Sequence, residues 1–229
     1  VNNLEEVAPL YTFYIGGYPV LITLEIVTQW GIILFLAVLG MFMTKKIEPL
    51  PDKRQNISEV FVETVSKLVE ENMGEEYLGF VPFIGTVIIY VLIMNLTGLI
   101  GIKPPTQNIS ITLSLGIITF FIVQATAIKK VGIFHYFLGY GKPFAAMLPL
   151  NIVERFMLPV SLSLRLFGNI TAGTVIVELV YQALNSIGFV ATLGLPIALH
   201  LYFDIFDGAI QVAIFTMLTM INIKLISEH

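Results

Sequence analysis

Residues 77–102, 104–128 and 179–203 contain no Asp, Glu, Lys or Arg, and other apolar stretches are broken by only one or two charges. A helix needs about 20 mostly apolar residues to cross the hydrocarbon core of a bilayer, so each run is long enough to span it. The pattern predicts a first span over 18–43, closed by Lys45-Lys46 and the basic, proline-marked loop Glu48-Pro49-Leu50-Pro51-Asp52-Lys53-Arg54. Within 56–73, Ile57, Phe61, Val65, Leu68 and Val69 form an apolar stripe among charged residues, the pattern of an amphipathic helix lying at the membrane surface. Spans over 78–102 and 109–128 follow, separated by the turn Lys103-Pro104-Pro105 and closed by Lys129-Lys130. The stretch from Val131 to Pro149 carries Gly132, Gly139, Gly141, Pro143 and Pro149, and reads as a re-entrant or interfacial connection. Two long helices, 150–183 and 195–226, finish the chain on either side of Asn185-Ser186-Ile187-Gly188. At 1.5 Å per residue each is on the order of 50 Å long against a core of about 30 Å, which predicts strong tilt. The fold class is an all-α integral membrane protein: about five transmembrane helices plus a surface amphipathic helix, in a single membrane domain over 1–229.

Composition sharpens this picture. Of 229 residues 56% are hydrophobic and 12% charged, where an average soluble domain has about 25% charged. A soluble globule built from this chain would expose large apolar patches. The absence of cysteine rules out disulfides and thiolate metal sites. The start Val1-Asn2-Asn3-Leu4-Glu5-Glu6 lacks the basic region of a cleavable signal peptide. The net charge of -4 matters less than where the cations fall. With five crossings, Lys45, Lys46, Lys53, Arg54, Lys67, Lys129, Lys130, Lys142 and Lys224 lie on one side and Lys103 on the other. That asymmetry predicts an outside N-terminus and a cytoplasmic C-terminus. No internal repeat is visible, which weighs against an inverted-repeat transporter.

The charges that interrupt the spans carry the chemistry. Ser161-Leu162-Ser163-Leu164-Arg165-Leu166-Phe167-Gly168-Asn169 sets an arginine in the middle of an apolar helix, at a cost of about 2.5–3.5 kcal/mol on insertion scales. A structural explanation is available: Glu154, eleven residues earlier and close to three turns away, falls on the same face and is a candidate ion-pair partner. Glu154 is also adjacent to Arg155, which competes for it. Arginine does not lose its proton in proteins, so Arg165 acts as a permanent charge and not as a proton carrier. Beside an ion path it repels a passing cation and attracts a deprotonated carboxylate. Asn169, one turn on, offers a neutral donor and acceptor on the same face.

The last helix carries His200, Asp204, Asp207 and Gln211 at spacings of four, three and four, a single stripe that Asn222 extends. Carboxylates inside a span are costly unless they face a watery cavity or a partner, so the row reads as one wall of an aqueous half-channel; interhelical polar contact is the plainer alternative. Glu178, thirteen residues beyond Arg165 and rotated away from it, is expected to join Asp204 and Asp207 at the outer end. Clustered carboxylates raise one another's pKa and relay protons or bind a cation. Glu25, the one charge in the first span, is a contact for a neighbouring subunit or an interfacial residue. No phosphate-binding loop and no paired histidines appear, and His135, His200 and His229 are scattered. No catalytic residue, metal ligand set, cofactor or nucleic-acid partner is indicated, and any ATP chemistry belongs to another chain.

The segment Leu164-Arg165-Leu166-Phe167-Gly168-Asn169, followed by Ala172-Gly173, resembles a signature of the a subunit of F-type ATP synthases. The closing Gln211-Val212-Ala213-Ile214-Phe215-Thr216-Met217-Leu218-Thr219-Met220 resembles that family's last-helix signature, and the likeness covers nearly the whole chain. The resemblance implies a stator subunit of the F0 sector that sits against a rotating ring of c subunits, with the b-subunit peripheral stalk and the rest of the F1F0 complex as further partners. It is implied to be non-catalytic, multi-pass and housed in a bacterial plasma membrane. Arg165 would face the ion-carrying carboxylate of each ring subunit, with Asn169, Gln211 and Ser161 as its polar neighbours.

The family also pairs an acid with a histidine across the two long helices. Here those positions are Thr174, five residues after Asn169, and Asp204, seven before Gln211, so the acid is present and its usual partner is missing. Glu178, one turn beyond Thr174, is the candidate substitute. The implied mechanism admits an ion past Glu178, Asp204 and Asp207, loads it on the ring and releases it through a cytoplasmic half-channel. Proton and sodium both remain open as the coupling ion. The rival reading is a self-contained cation channel or antiporter in which Arg165 gates or acts as a counter-ion; the polar row in the last helix weighs against a mere membrane scaffold.

Overall fold

The computed structural model describes residues 10–45, 52–133, 136, 148–185 and 194–228. The start of the chain, part of the basic loop including Lys46 and Pro51, most of the Gly- and Pro-marked connection with His135 and Lys142, the break at Ser186-Ile187-Gly188, and His229 lie outside the described residues.

The first described element is an antiparallel hairpin, β1 (Tyr11–Ile15) and β2 (Tyr18–Ile22), in register Tyr11 to Ile22 and Ile15 to Tyr18. The 18–43 span expected from hydropathy therefore begins only at Leu24. The physical reason is local: Gly16 and Gly17 both take positive φ, 58° and 87°, which suits a two-residue hairpin turn, and they are flanked by aromatic and β-branched residues. Hydrophobicity alone does not separate such a hairpin from the start of a span.

The helices follow as α1 (Leu24–Met43), α2 (Lys53–Met73), α3 (Val81–Leu96), α4 (Ile109–Val131) and α5 (Leu148–Asn185). The final helix is made of α6 (Leu195–His200), a π-helical segment Leu201–Asp207, and α7 (Gly208–Glu228). Short 3-10 turns flank α3 at Glu75–Phe80 and Thr97–Ile100, and another, Pro105–Gln107, leads into α4. Among the described residues, five segments are long and apolar enough to cross a membrane: Leu24–Met43, Glu75–Ile100, Ile109–Val131, Leu148–Asn185 and Leu195–Ile226.

The start of α4 is set by Asn108, whose side chain accepts from the Ser110 backbone N–H and satisfies one of the orphan donors of the first turn. Its end comes at Gly132, whose positive φ of 87° closes the helix. Asp52 caps α2 in the same manner, accepting from Lys53 N–H. On α2 the buried residues are Val65, Val69 and Met73, whereas Ile57 at its start is exposed. The stripe thus turns inward only over the last three turns, where α2 packs against α3 and α7.

Packing is centred on α4, which runs against both α5 and α7, with α3 laid on α7. One core cluster joins Val69 and Met73 of α2 to Ile84 of α3, Val123 of α4 and Met220 and Ile223 of α7. A second joins Val91 and Met94 of α3 to Ile111 of α4, Leu162 and Leu166 of α5 and Phe215 of α7. The contact of α4 with α5 depends on a missing side chain: a Cβ on Gly116 would meet Ser163 Oγ and lie 2.6 Å from the Pro159 carbonyl oxygen. The α1 helix stands at the edge, with Ile32 as its buried residue.

Candidate functional site

The α5 helix has two distinct faces. Leu162, Ser163, Leu166, Ile170, Gly173 and Val177 are buried against the rest of the chain. Ser161, Leu164 and Asn169 are exposed, and Arg165 is half-buried between them. Because Ser161, Arg165 and Asn169 recur every four residues, they line one outward row. Among the described residues Arg165 has no hydrogen bond or ion pair. The expected candidate Glu154 is exposed, and Arg155 instead lays its guanidinium 5.1 Å over the Tyr136 ring. The intramolecular lock from Glu154 to Arg165 is not formed. Beside Arg165, a Cβ built on Gly168 would meet nothing within 4 Å. The arginine therefore sits on a face of α5 with room for another helix.

The polar row of the final helix is present but divided. His200 Nδ1 and Asp204 Oδ2 are 2.7 Å apart, and Gln211 Nε2 donates to Asp207 Oδ1 at 3.5 Å. The π-helical winding of Leu201–Asp207, with its i to i+5 pattern, contains one aspartate of each pair, Asp204 and Asp207, and breaks the regular α spacing that the row assumes. Gln211 is 3% exposed, and its Oε1 is buried without a partner. Asn222 donates to its own helix, at the Leu218 carbonyl, so it adds no link to the row. Glu178 is exposed on α5, and among the described residues no three His, Asp or Glu side chains come close enough to hold a metal ion. On α5, Tyr181 comes near His200, its ring centre 5.9 Å from the imidazole. On α1, Glu25 is half-buried, with Oε2 shielded and unpartnered.

The surroundings of Asp204 escaped sequence reasoning because they come from other elements. A Cβ on Gly98, in the turn after α3, would lie 3.1 Å from Asp204 Oδ1, so the carboxylate is seated against a bare backbone. A Cβ on Gly173 would lie 2.9 Å from the Phe203 ring, which brings α5 and the π segment into close contact. Next to it, Thr174 Oγ1 accepts from Gln107 Nε2 at 2.5 Å and donates to the Ile170 carbonyl at 3.0 Å. Asn95 Nδ2 donates to the Gly208 carbonyl at 3.2 Å while its Oδ1 accepts from Thr106. A cavity of about 710 Å³ opens beside this group, lined by Gly98, Leu99, Ile197, His200 and Ile205.

The sequence model of the family described as ATP synthase A chain matches residues 26–224. The chain belongs to that family. Its relatives include ATP synthase subunit a of Moorella thermoacetica, 34% identical and covering 95% of this chain and 95% of that protein. ATP synthase subunit a 2 of a Bradyrhizobium species is 36% identical, over 92% of this chain and 91% of that protein. A third, from Propionigenium modestum, is named ATP synthase subunit a, sodium ion specific; it is 32% identical over 91% of this chain and 74% of that protein. In this member of the ATP synthase A chain family, then, the outward row Ser161, Arg165 and Asn169 belongs to α5, and the pair His200 and Asp204 belongs to the final helix, with Asp204 seven residues ahead of the buried Gln211.

Proposed function

We propose that the chain is the ion-translocating stator subunit of the F0 sector of an F-type ATP synthase, giving two half-channels to a rotating ring of c subunits. Arg165 carries this reading: it is a permanent charge, half-buried on the outward face of α5, without an ion-pair partner among the described residues and beside the open position of Gly168. A charge within a span that no group among the described residues neutralises asks for a partner carboxylate from outside. A ring of c subunits that each carry one carboxylate supplies it in turn, with Ser161 and Asn169 exposed along the same row as polar neighbours and Gln211 behind them.

An ion entering on the outer side passes His200, Asp204 and Asp207 and loads a ring carboxylate. The guanidinium of Arg165 repels that ion from the direct route and holds the emptied carboxylate, so the ion leaves on the cytoplasmic side only after the ring has turned. Each elementary charge crossing 100 mV supplies about 2.3 kcal/mol, so several are needed for each ATP made elsewhere in the complex. The subunit itself performs no covalent step. Further partners are the b-subunit peripheral stalk and the rest of the F1F0 complex. The excess of Lys and Arg in the loops on one side supports an outside N-terminus and a cytoplasmic C-terminus, and the bacterial relatives support a bacterial plasma membrane.

The test is ATP-driven ion uptake by vesicles that hold the whole complex, with Arg165→Ala against wild type. Uptake is expected to be abolished while the soluble sector still hydrolyses ATP. Unimpaired coupled uptake in the variant would mean that Arg165 is structural.

A further inference from the structure

The hairpin of β1 and β2 takes no part in the proposed ion path, and among the described residues its strands pack chiefly on each other. Residues 10–24 carry no Asp, Glu, Lys or Arg. We infer that this hairpin is an interfacial anchor, lying in the headgroup layer of the bilayer at the N-terminal end of α1, with the lipid surface as its partner. The inference needs only that α1 crosses the membrane, and it is independent of the stator reading.

Three observations carry it. The first is that neither face of the hairpin is built for water. The register puts Tyr11, Phe13, Tyr18, Val20 and Ile22 on one face and Thr12, Tyr14, Pro19 and Leu21 on the other. An antiparallel sheet that meets water on one side shows polar residues there, whereas both faces here are apolar and aromatic. They are also uncovered: Tyr11, Tyr14 and Tyr18 are 66%, 73% and 80% exposed, and Val20 and Leu21 are exposed beside them. An isolated two-stranded hairpin is at best marginally stable in water, so this surface calls for a cover.

The second observation is the level at which the hairpin is held. At 1.5 Å per residue, the 20 residues of α1 reach about 30 Å, the thickness of the hydrocarbon core without help from the strands. Only Thr23 separates Ile22 from Leu24, where α1 begins, and Glu25 in the first turn marks the same boundary. The uncovered apolar surface also runs on without a break in composition, into Leu24, Val27 and Trp30, which are exposed on α1.

The third is the backbone. In a sheet of two strands each strand has one outer edge, and unpaired N–H and C=O groups are not tolerated against hydrocarbon. The edges therefore exclude the core, and the faces disfavour bulk water. The headgroup layer meets both demands: water and lipid oxygens satisfy the edges, and the tyrosines lay their rings toward the acyl chains with their hydroxyls in the wet zone. A protein surface docked on the hairpin would cover one face and leave the other wet, whereas a lipid layer takes both.

The experiment measures depth. Because the chain has no cysteine, single spin labels are placed at Val20→Cys on one face and Leu21→Cys on the other. Phe35→Cys, at an exposed position midway along α1, is the hydrocarbon reference. The whole complex, with the cysteines of its other subunits replaced, is reconstituted in vesicles of phosphatidylcholine and phosphatidylglycerol, and collisions of each label with oxygen and with a water-soluble nickel chelate are recorded. Both hairpin labels are expected to collide with both reagents, at a depth between the Phe35 label and a free label in buffer, with nickel collisions several-fold below those in buffer. Replacing the three tyrosines together, Tyr11→Ser, Tyr14→Ser and Tyr18→Ser, is expected to raise nickel collisions several-fold at both positions. Nickel access equal to that in buffer would place the hairpin in water and overturn the proposal, as would a depth equal to that of the Phe35 label. Shielding of either label from both reagents would show a protein partner instead. Unchanged depth in the assembled triple-serine complex would show that the aromatic rings are not the anchor.

Discussion

At the scale of single residues, two positions of similar rarity behave in opposite ways. Arg165 and Asp204 are both charges inside apolar helices, yet among the described residues Arg165 is left without a partner on an outward face while Asp204 is held on two sides, by His200 and by the bare backbone of Gly98. The first arrangement fits a group that acts on another chain, and the second a group that works within its own. Gly98 makes the second testable. In Gly98→Val the new Cβ would lie 3.1 Å from Asp204 Oδ1, with further methyls beyond it, so the carboxylate must move. Coupled ion uptake is expected to fall several-fold while the complex still assembles; uptake at the wild-type rate would show that the seat is dispensable. Both charges are legible in sequence because a charge in an apolar run stands out by itself. Gly98 is not: one glycine among many in apolar spans gives no sign of the carboxylate laid against it from a residue more than a hundred positions away.

At the scale of elements, the final helix is the informative one. Regular α spacing puts His200, Asp204, Asp207 and Gln211 on one stripe, but the π segment Leu201–Asp207 changes the winding where the stripe passes. Such segments are rare and are concentrated at functional sites. Its end is tied to α3, since Asn95 donates to the Gly208 carbonyl and accepts from Thr106. Asn95→Ala removes both bonds in a buried place, at a cost of about 1–3 kcal/mol. The expected result is a lower thermal midpoint for the purified complex and faster hydrogen exchange across 201–208 than across 215–223; equal exchange in the two stretches would mean that α5 alone holds the π segment. Hydropathy cannot foresee this winding, because it scores residues by type and not by the backbone bonds they close. For the same reason it ran the first span through the hairpin that ends at Ile22, where Gly16 and Gly17 turn the chain.

At the scale of the whole molecule, two core clusters lie one above the other, and the polar pairs of the final helix sit toward the end opposite α2. The proposed orientation places α2 on the cytoplasmic side and the cavity beside His200 on the outer side. A membrane-impermeant amine reagent checks it directly. In right-side-out vesicles Lys103 is expected to react from outside, and Lys53, Lys67 and Lys129 only after the membrane is opened; the reverse pattern would invert the topology and exchange the two half-channels. All four side chains are exposed in the folded chain, so accessibility is decided by the membrane and not by packing.

The sequence by itself determined that the chain spans a membrane about five times, that its family is that of the ATP synthase A chain, and that Arg165 and the polar row of the last helix are its unusual residues. Hydrophobic run length, charge placement and short local signatures are one-dimensional properties, and a bilayer makes them decisive by penalising every buried charge. Tertiary structure alone decided which charges meet. It paired His200 with Asp204, tied Thr174 to Gln107 and left Arg165 on the outward face of α5. These outcomes depend on how α5 and the final helix are rotated and how closely they approach at Gly173 and Phe203. Rotation and approach are set by side-chain packing across elements distant in the chain, which no local pattern records.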